Sequence, residues 1–279
     1  MLDLHRHWGY PHSSGRGGAG PGISPMRSEA QRPSVAAMND RRLMKVAGGA
    51  AVAGAIAQFV ASVLEPNWGG QPAKAVRVVA DNGFWNGDRL LDLVGVFLTV
   101  GALTVVGRTF AERPGREWVR AGQPFLVLMA ALGASAVASG ATMKVLANRW
   151  SDASPQLRQP YLAVFDAASR VTEVLFFAAF MALALYLALL ATSVLAARVY
   201  ARWIGWTAAA SAVLVLTGDL LDISFDAAFL VVIAGYVLFL VVLTALGMSM
   251  LRCEDAVPGL DARDVAREPE AALITTELT

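Results

Sequence analysis

The chain has 279 residues, of which 56% are hydrophobic and 16% charged, with a formal net charge of +1 and a mean hydropathy of +0.52. These values exclude a disordered chain, a basic nucleic-acid binder and a disulfide-stapled secreted module, each of which needs charge or cysteine that is missing here. The bilayer is the solvent of such a protein, and the expected fold class is all-α, a polytopic bundle of six transmembrane helices.

Residues 1–37 are rich in Gly, Pro, Ser and Arg and hold no apolar stretch that could serve as a signal-peptide core, which predicts a disordered tail. Met38 opens the sequence MNDRRLMK directly before the first apolar run, and a start codon there would leave the tail untranslated. The membrane domain is expected over 38–251, with spans at 46–64, 90–107, 124–143, 174–197, 204–221 and 227–251. Each run approaches the roughly 20 residues that cross about 30 Å of hydrocarbon. Solid apolar runs without alternation specify helices, because a spanning backbone must satisfy its own hydrogen bonds.

No proline interrupts a span, so the broken helices of many secondary transporters are not expected. Small residues recur every four positions at Gly49, Ala53, Ala57 and Ala61 and at Ala131, Ser135 and Ser139, which predicts two close-packing faces. Between spans one and two, residues 73–80 read as a short helix lying in the interface. Residues 161–171 read as a helical lead-in to span four, with Asp166 and Arg170 paired at i,i+4. The segment 252–279 carries seven acids and three arginines and is expected to be a disordered cytoplasmic tail.

Orientation follows from the flanking Lys and Arg, ten on the side of the N-terminus against seven on the other. That bias places both termini in the cytoplasm. The Arg and Ala preference suits a GC-rich bacterial genome, hence a bacterial plasma (inner) membrane. Trp118, Trp203 and Trp206 are expected at the inner interface and Trp68, Trp85 and Trp150 at the outer one.

Scarce residue types remove much chemistry. Cys253 is the only cysteine, and His5, His7 and His12 are the only histidines, all outside the spans. A CxxC pair, bis-His haem ligation, an HExxH zinc site and an intramembrane Ser/His dyad are therefore excluded. No catalytic residue, metal or cofactor is assigned, and nucleic acid is not an expected partner.

Acid placement is the one feature beyond a bland bundle. Of 12 acids within 46–251, all but Glu112 and Glu117 fall on the outer side. At about 1.5 Å per residue, Asp219 rises about 25 Å from Arg202 and Asp92 about 24 Å from Arg108, so both lie about 5 Å below the outer edge. Aspartate is too short to snorkel and should face protein or water. The candidate polar pocket is Asp92, Asp219, Lys144, Asp222, Arg170 and Glu173, with Asp92 and Asp219 sharing a cleft and Lys144 as countercharge. Asp222 and Asp226 also flank a tight turn, where helix capping accounts for them.

Three function classes stay open. The pocket is either a polar plug that fixes helix register or an outward-facing site that binds or passes a small cationic or polar solute. Alternatively the protein is an accessory or sensory one, acting on a protein partner or a second copy through its arginine-rich loop at 108–120. A carboxylate-dependent membrane enzyme is the third class and the least supported.

The stretch NGFWNGDRLLDLVG at 82–95, the long fourth span and the run RWIGW starting at Arg202 resemble a bacterial family of six-helix membrane proteins, a domain of unknown function. The resemblance covers roughly residues 40–250. It implies an interfacial helix after span one, an aromatic and an arginine just before span two, and no assigned activity. Ala201 stands where that family often has proline before span five.

Overall fold

The computed structural model describes residues 35–66, 71–222 and 228–252. Most of the expected N-terminal tail, the C-terminal tail with Cys253, and Trp68, Asp226 and the histidines lie outside the described residues. Seven helices follow in chain order: α1 (Val35–Leu64), α2 (Pro72–Asp81), α3 (Trp85–Arg108), α4 (Arg116–Asp152), α5 (Pro155–Ala197), α6 (Arg202–Asp222) and α7 (Ala228–Arg252). All but α2 are long and apolar enough to cross a membrane. The protein is an all-α, multi-pass membrane bundle, and α2 occupies the place of the expected interfacial helix.

Helix lengths depart from the uncharged runs. α4 has 37 residues and α5 has 43, about 55 and 65 Å at about 1.5 Å per residue, well beyond a hydrocarbon core of about 30 Å. Both continue past the expected spans as one antiparallel hairpin, broken only where Ala153 and Ser154 turn extended and Pro155 starts α5. The other end of α4 begins at Gly115, whose φ of 92° is left-handed. A Cβ there would also lie 2.9 Å from the Ser193 Cα, so the α3–α4 loop docks on α5 only because this residue has no side chain. Ser193 Oγ shares its proton between the Leu189 carbonyl at 2.8 Å and the Gly115 carbonyl at 3.1 Å, which helps to hold the dock.

Because α4 starts at Arg116, Pro124 is inside a helix and does not open it. The expectation of proline-free spans fails there, since run length marks where charge stops and not where a helix begins. The Arg120 carbonyl loses its intrahelical donor, which is tolerated on the exposed face that Arg120, Pro124, Val127 and Ala131 share.

The six long helices close into a ring in chain order, α1–α3–α4–α5–α6–α7, with α7 packed back on α1 and also touching α3. A close seam joins α1 to α7: a Cβ on Gly48 would sit 2.8 Å from the Gly247 carbonyl oxygen, and one on Gly247 would sit 2.8 Å from that of Gly48. The α1 packing row is Ala47, Ala51 and Ala55, all buried, whereas Ala53 is exposed and Gly49 meets open space. On α4, Ala131 and Ser135 are exposed, and Gly133, Ala136 and Gly140 are buried. Each expected small-residue row is therefore met only in part: Ala57 and Ala61 of α1 are buried and Ser139 of α4 is hydrogen-bonded to α5, while the other members of both rows face away from the packing seam. In helices this rich in Ala and Gly, several i,i+4 rows look alike, and only the neighbouring helix selects one.

Two apolar cores result. The larger lies toward the arginine-rich end and includes Leu103, Leu126, Leu187, Ile204 and Leu243. The smaller caps the opposite end, where Val76 and Val79 of α2 meet Trp85, Met143, Ala147 and Phe165. Trp85 is fully buried in that cap and is not an interface anchor, whereas Trp118, Trp203 and Trp206 are exposed at the arginine-rich end.

Candidate functional site: a polar layer between two apolar cores

On α3, residues 85, 88, 89, 92, 95 and 99 recur at three- and four-residue spacing, so they share one helix face. Gln58 and Ser62 of α1, with Glu65 just past its end, form the matching face. The two faces meet because two glycines adjoin: a Cβ on Gly54 would approach the Gly95 carbonyl oxygen to 3.1 Å, and one on Gly95 would reach Gln58 Cγ at 2.7 Å. Backbones this close bring short polar side chains into direct contact.

The floor of the layer is a neutral chain of hydrogen bonds. Tyr236 O–H of α7 donates to Gln58 Oε1 at 2.8 Å, and Gln58 Nε2 donates to Thr99 Oγ1 at 2.7 Å. Gln58 and Thr99 are buried, and Tyr236 is fixed edge-on against Phe180 with ring centroids 5.8 Å apart.

Toward the acidic end the layer becomes charged. Arg89 donates to Glu65 in an ion pair between α3 and α1. Its guanidinium carbon lies 4.5 Å from the centroid of the Trp85 ring, a cation–π stack. Trp85 Nε1–H donates to the Gly140 carbonyl at 2.8 Å. Gly140 lets this happen, since a Cβ there would stand 3.2 Å from Arg89 Nε. Arg89 is only 3% exposed and its Nε has no hydrogen-bond partner; Asp88 is 2% exposed and its Oδ1 has none either. Asp92 is half-buried one turn along α3, and the charges acting on it are Arg89, Glu65 and Asp88. Among the described residues, three carboxylates therefore surround this guanidinium.

The structure distributes the sequence-derived candidates unevenly. Asp92 lies in the layer. Asp219 is 4% exposed on α6, which packs between α5 and α7 across the ring from α3. Among the described residues no hydrogen bond or ion pair joins it to Asp92. Lys144 is not their countercharge: its ammonium donates to the carbonyls of Val79, Ala80 and Asn82 at 2.9, 2.8 and 2.9 Å. The reason is electrostatic, because the C-terminal carbonyls of α2 present a concentrated partial negative charge within reach of the lysine stem. Arg170 is exposed and pairs with Asp166 at 3.5 Å, on the expected i,i+4 spacing. Glu173 is exposed and accepts from Ser169 Oγ at 3.3 Å. Asp222 is the last residue of α6, and its side chain lies outside the described residues.

Glu65, Asp88, Gln58, Thr99, Trp85 and Tyr236 were not among those candidates. Glu65 and Asp88 were visible as charges one and two residues outside an apolar run, and one more helical turn would have included them. The layer has carboxylates but no group of three His, Cys, Asp or Glu placed to hold a metal ion among the described residues. Its charged groups are placed for charge compensation in a partly desolvated space. Comparison with protein-family models, with curated proteins and with solved structures finds no match, so the site is read from its own residues.

Proposed function

We propose that the protein resides in a bacterial plasma membrane with both termini in the cytoplasm and binds a small cationic solute in an acidic chamber that opens outward. The observation that carries this reading is the excess of carboxylates over cations around Arg89 among the described residues, with Asp88 Oδ1 buried and without a hydrogen-bond partner there. Buried anionic charge without compensation costs several kcal/mol. A bound cation removes that cost. The apolar core beneath the layer favours binding from one face over a continuous path through the bundle. Membership of the six-helix family of unknown function belongs to the same reading, on the segments at 82–95 and from Arg202 to Trp206.

Titration calorimetry on the purified protein with tetramethylammonium and with sodium, at constant ionic strength, tests the binding. One of the two cations is expected to bind the native protein, and Asp88→Asn is expected to abolish that binding while leaving the melting temperature equal or higher, because it neutralises an unpartnered buried carboxylate. Absence of binding by both cations, or equal binding in Asp88→Asn, refutes the reading.

Orientation has its own test in Cys253, one residue beyond α7. A membrane-impermeant maleimide should label it only after cells are opened. Labelling in intact cells would reverse the topology.

A further inference from the structure

Beyond the hydrocarbon, α5 turns an apolar stripe to water. Leu157, Pro160, Val164, Ala167, Val171 and Val174 recur at alternating three- and four-residue steps, and all are exposed. The opposite side of the helix is the buried one, with Phe165, Ser169 and Thr172 packed toward the bundle. About 20 residues at about 1.5 Å each cross the hydrocarbon, which from Ala197 reaches back to about residue 178. The stripe therefore lies outside the lipid tails, and the charged Asp166, Arg170 and Glu173 interleave with it. Single exposed apolar side chains are ordinary, but a row of them along one helix face marks an interaction surface.

Spacing and length identify the occupant. The positions follow a heptad in which 157, 164 and 171 are a and 160, 167 and 174 are d, and the same steps continue down the helix to Leu195 without meeting a charged or a buried residue. Gln156, Ala163 and Arg170 flank this row on one side and Tyr161, Ala168 and Leu175 on the other; their single charge is already paired with Asp166. Such a pattern lays one helix along another without like-charge repulsion between identical copies, and Ala167 lets the two backbones approach. Lipid can cover only the inner half of the row, and a soluble protein only the outer half. The ends of α1 and α7 that lead to the chain's two tails lie at the arginine-rich end, a membrane thickness from the stripe.

A helix that covers both halves must cross the membrane and overrun it by the same distance, which α5 of a second copy does. We propose that two copies of the chain pair through α5, parallel and related by a two-fold axis along the membrane normal, so that Val164 of one meets Val164 of the other. The pairing needs the membrane fold alone and stands without the acidic chamber.

The test is cysteine cross-linking in membranes that hold the full-length chain with Cys253→Ser. With a copper–phenanthroline oxidant, Leu157→Cys, Val164→Cys and Val171→Cys should each give a disulfide-linked product at twice the chain's mass, because facing a positions of paired helices come within disulfide reach. Gln159→Cys, also exposed but off the row, should give about tenfold less, since its Cβ points away from the partner. Adding Val164→Arg to Leu157→Cys should abolish the Leu157→Cys product by placing two guanidinium groups in the seam, while the purified variant keeps its helical circular dichroism, because Val164 is exposed in the single copy. A Val164→Cys product of any other mass would assign the row to a different protein, and no product above the Gln159→Cys level would leave it to lipid and water. Either result, or an undiminished product in the Val164→Arg background, overturns the proposal.

Discussion

Arg89→Gln is expected to destabilise the bundle by about 3–5 kcal/mol, whereas Glu65→Gln should cost about 1 kcal/mol, although the two residues form one ion pair. The asymmetry comes from the company each keeps. Removing the guanidinium takes away the cation that Asp88 and Asp92 face among the described residues, in a space where Asp88 Oδ1 is already buried and without a hydrogen-bond partner. It also removes the cation–π stack on Trp85, about 1–2 kcal/mol when desolvated. Removing Glu65 instead leaves Arg89 beside two remaining carboxylates, and the local charge moves toward neutrality. Denaturant unfolding in detergent micelles measures both, and the double variant should recover part of the Arg89 loss. Equal costs for the two single changes would mean that the pair acts alone and that the carboxylate excess has no energetic weight.

That asymmetry rests on residues the sequence only half exposes. The spans are legible because transfer into hydrocarbon adds up along the chain, so an apolar run of sufficient length, with at most one charge inside it, finds its helix in each of six cases. The same criterion stops where charges cluster. It therefore cut α3 at Leu90 and left Trp85, Asp88 and Arg89 in a flank, although helical spacing places all three on the face of Asp92. The overrun of α4 and α5 was hidden in the same way: charged positions such as Arg149 and Arg158 look like loop, yet the helices continue because their shared apolar seam continues with α2 packed on it.

Depth reasoning located Asp92 and Asp219 within the apolar slab, and both are at least half-buried. What depth could not supply was azimuth. Helix rise gives height along the bundle, but which helices adjoin is decided by pairs such as Gly48 with Gly247 and Gly54 with Gly95, whose meeting depends on the whole ring. Asp219 was therefore assigned a neighbour that lies across the bundle.

Lys144 shows most directly how a long side chain evades such reasoning, and its substitution is the second large effect. Lys144→Met keeps the length and apolar body of the stem and removes three charge-assisted hydrogen bonds, so it should destabilise the protein by about 2–3 kcal/mol. The three carbonyls belong to the end of α2 and the turn into α3, where Asn82 also accepts from Phe84 N through its side chain at 2.9 Å. Loss of the ammonium should open this corner before the ring. Hydrogen exchange should accelerate over Pro72–Asp81 while the amides of α6 and α7 keep their protection. Lys144→Arg should restore only part of the loss, since a planar guanidinium cannot direct donors to three carbonyls gathered around one point. A double-mutant cycle with Asp92→Asn separates this capping role from the countercharge role that the sequence suggested. Capping requires the two costs to add within about 0.5 kcal/mol. A coupling energy above about 1 kcal/mol would instead mean that Lys144 and Asp92 form an ion pair and that the α2 carbonyls are not the lysine's principal partners.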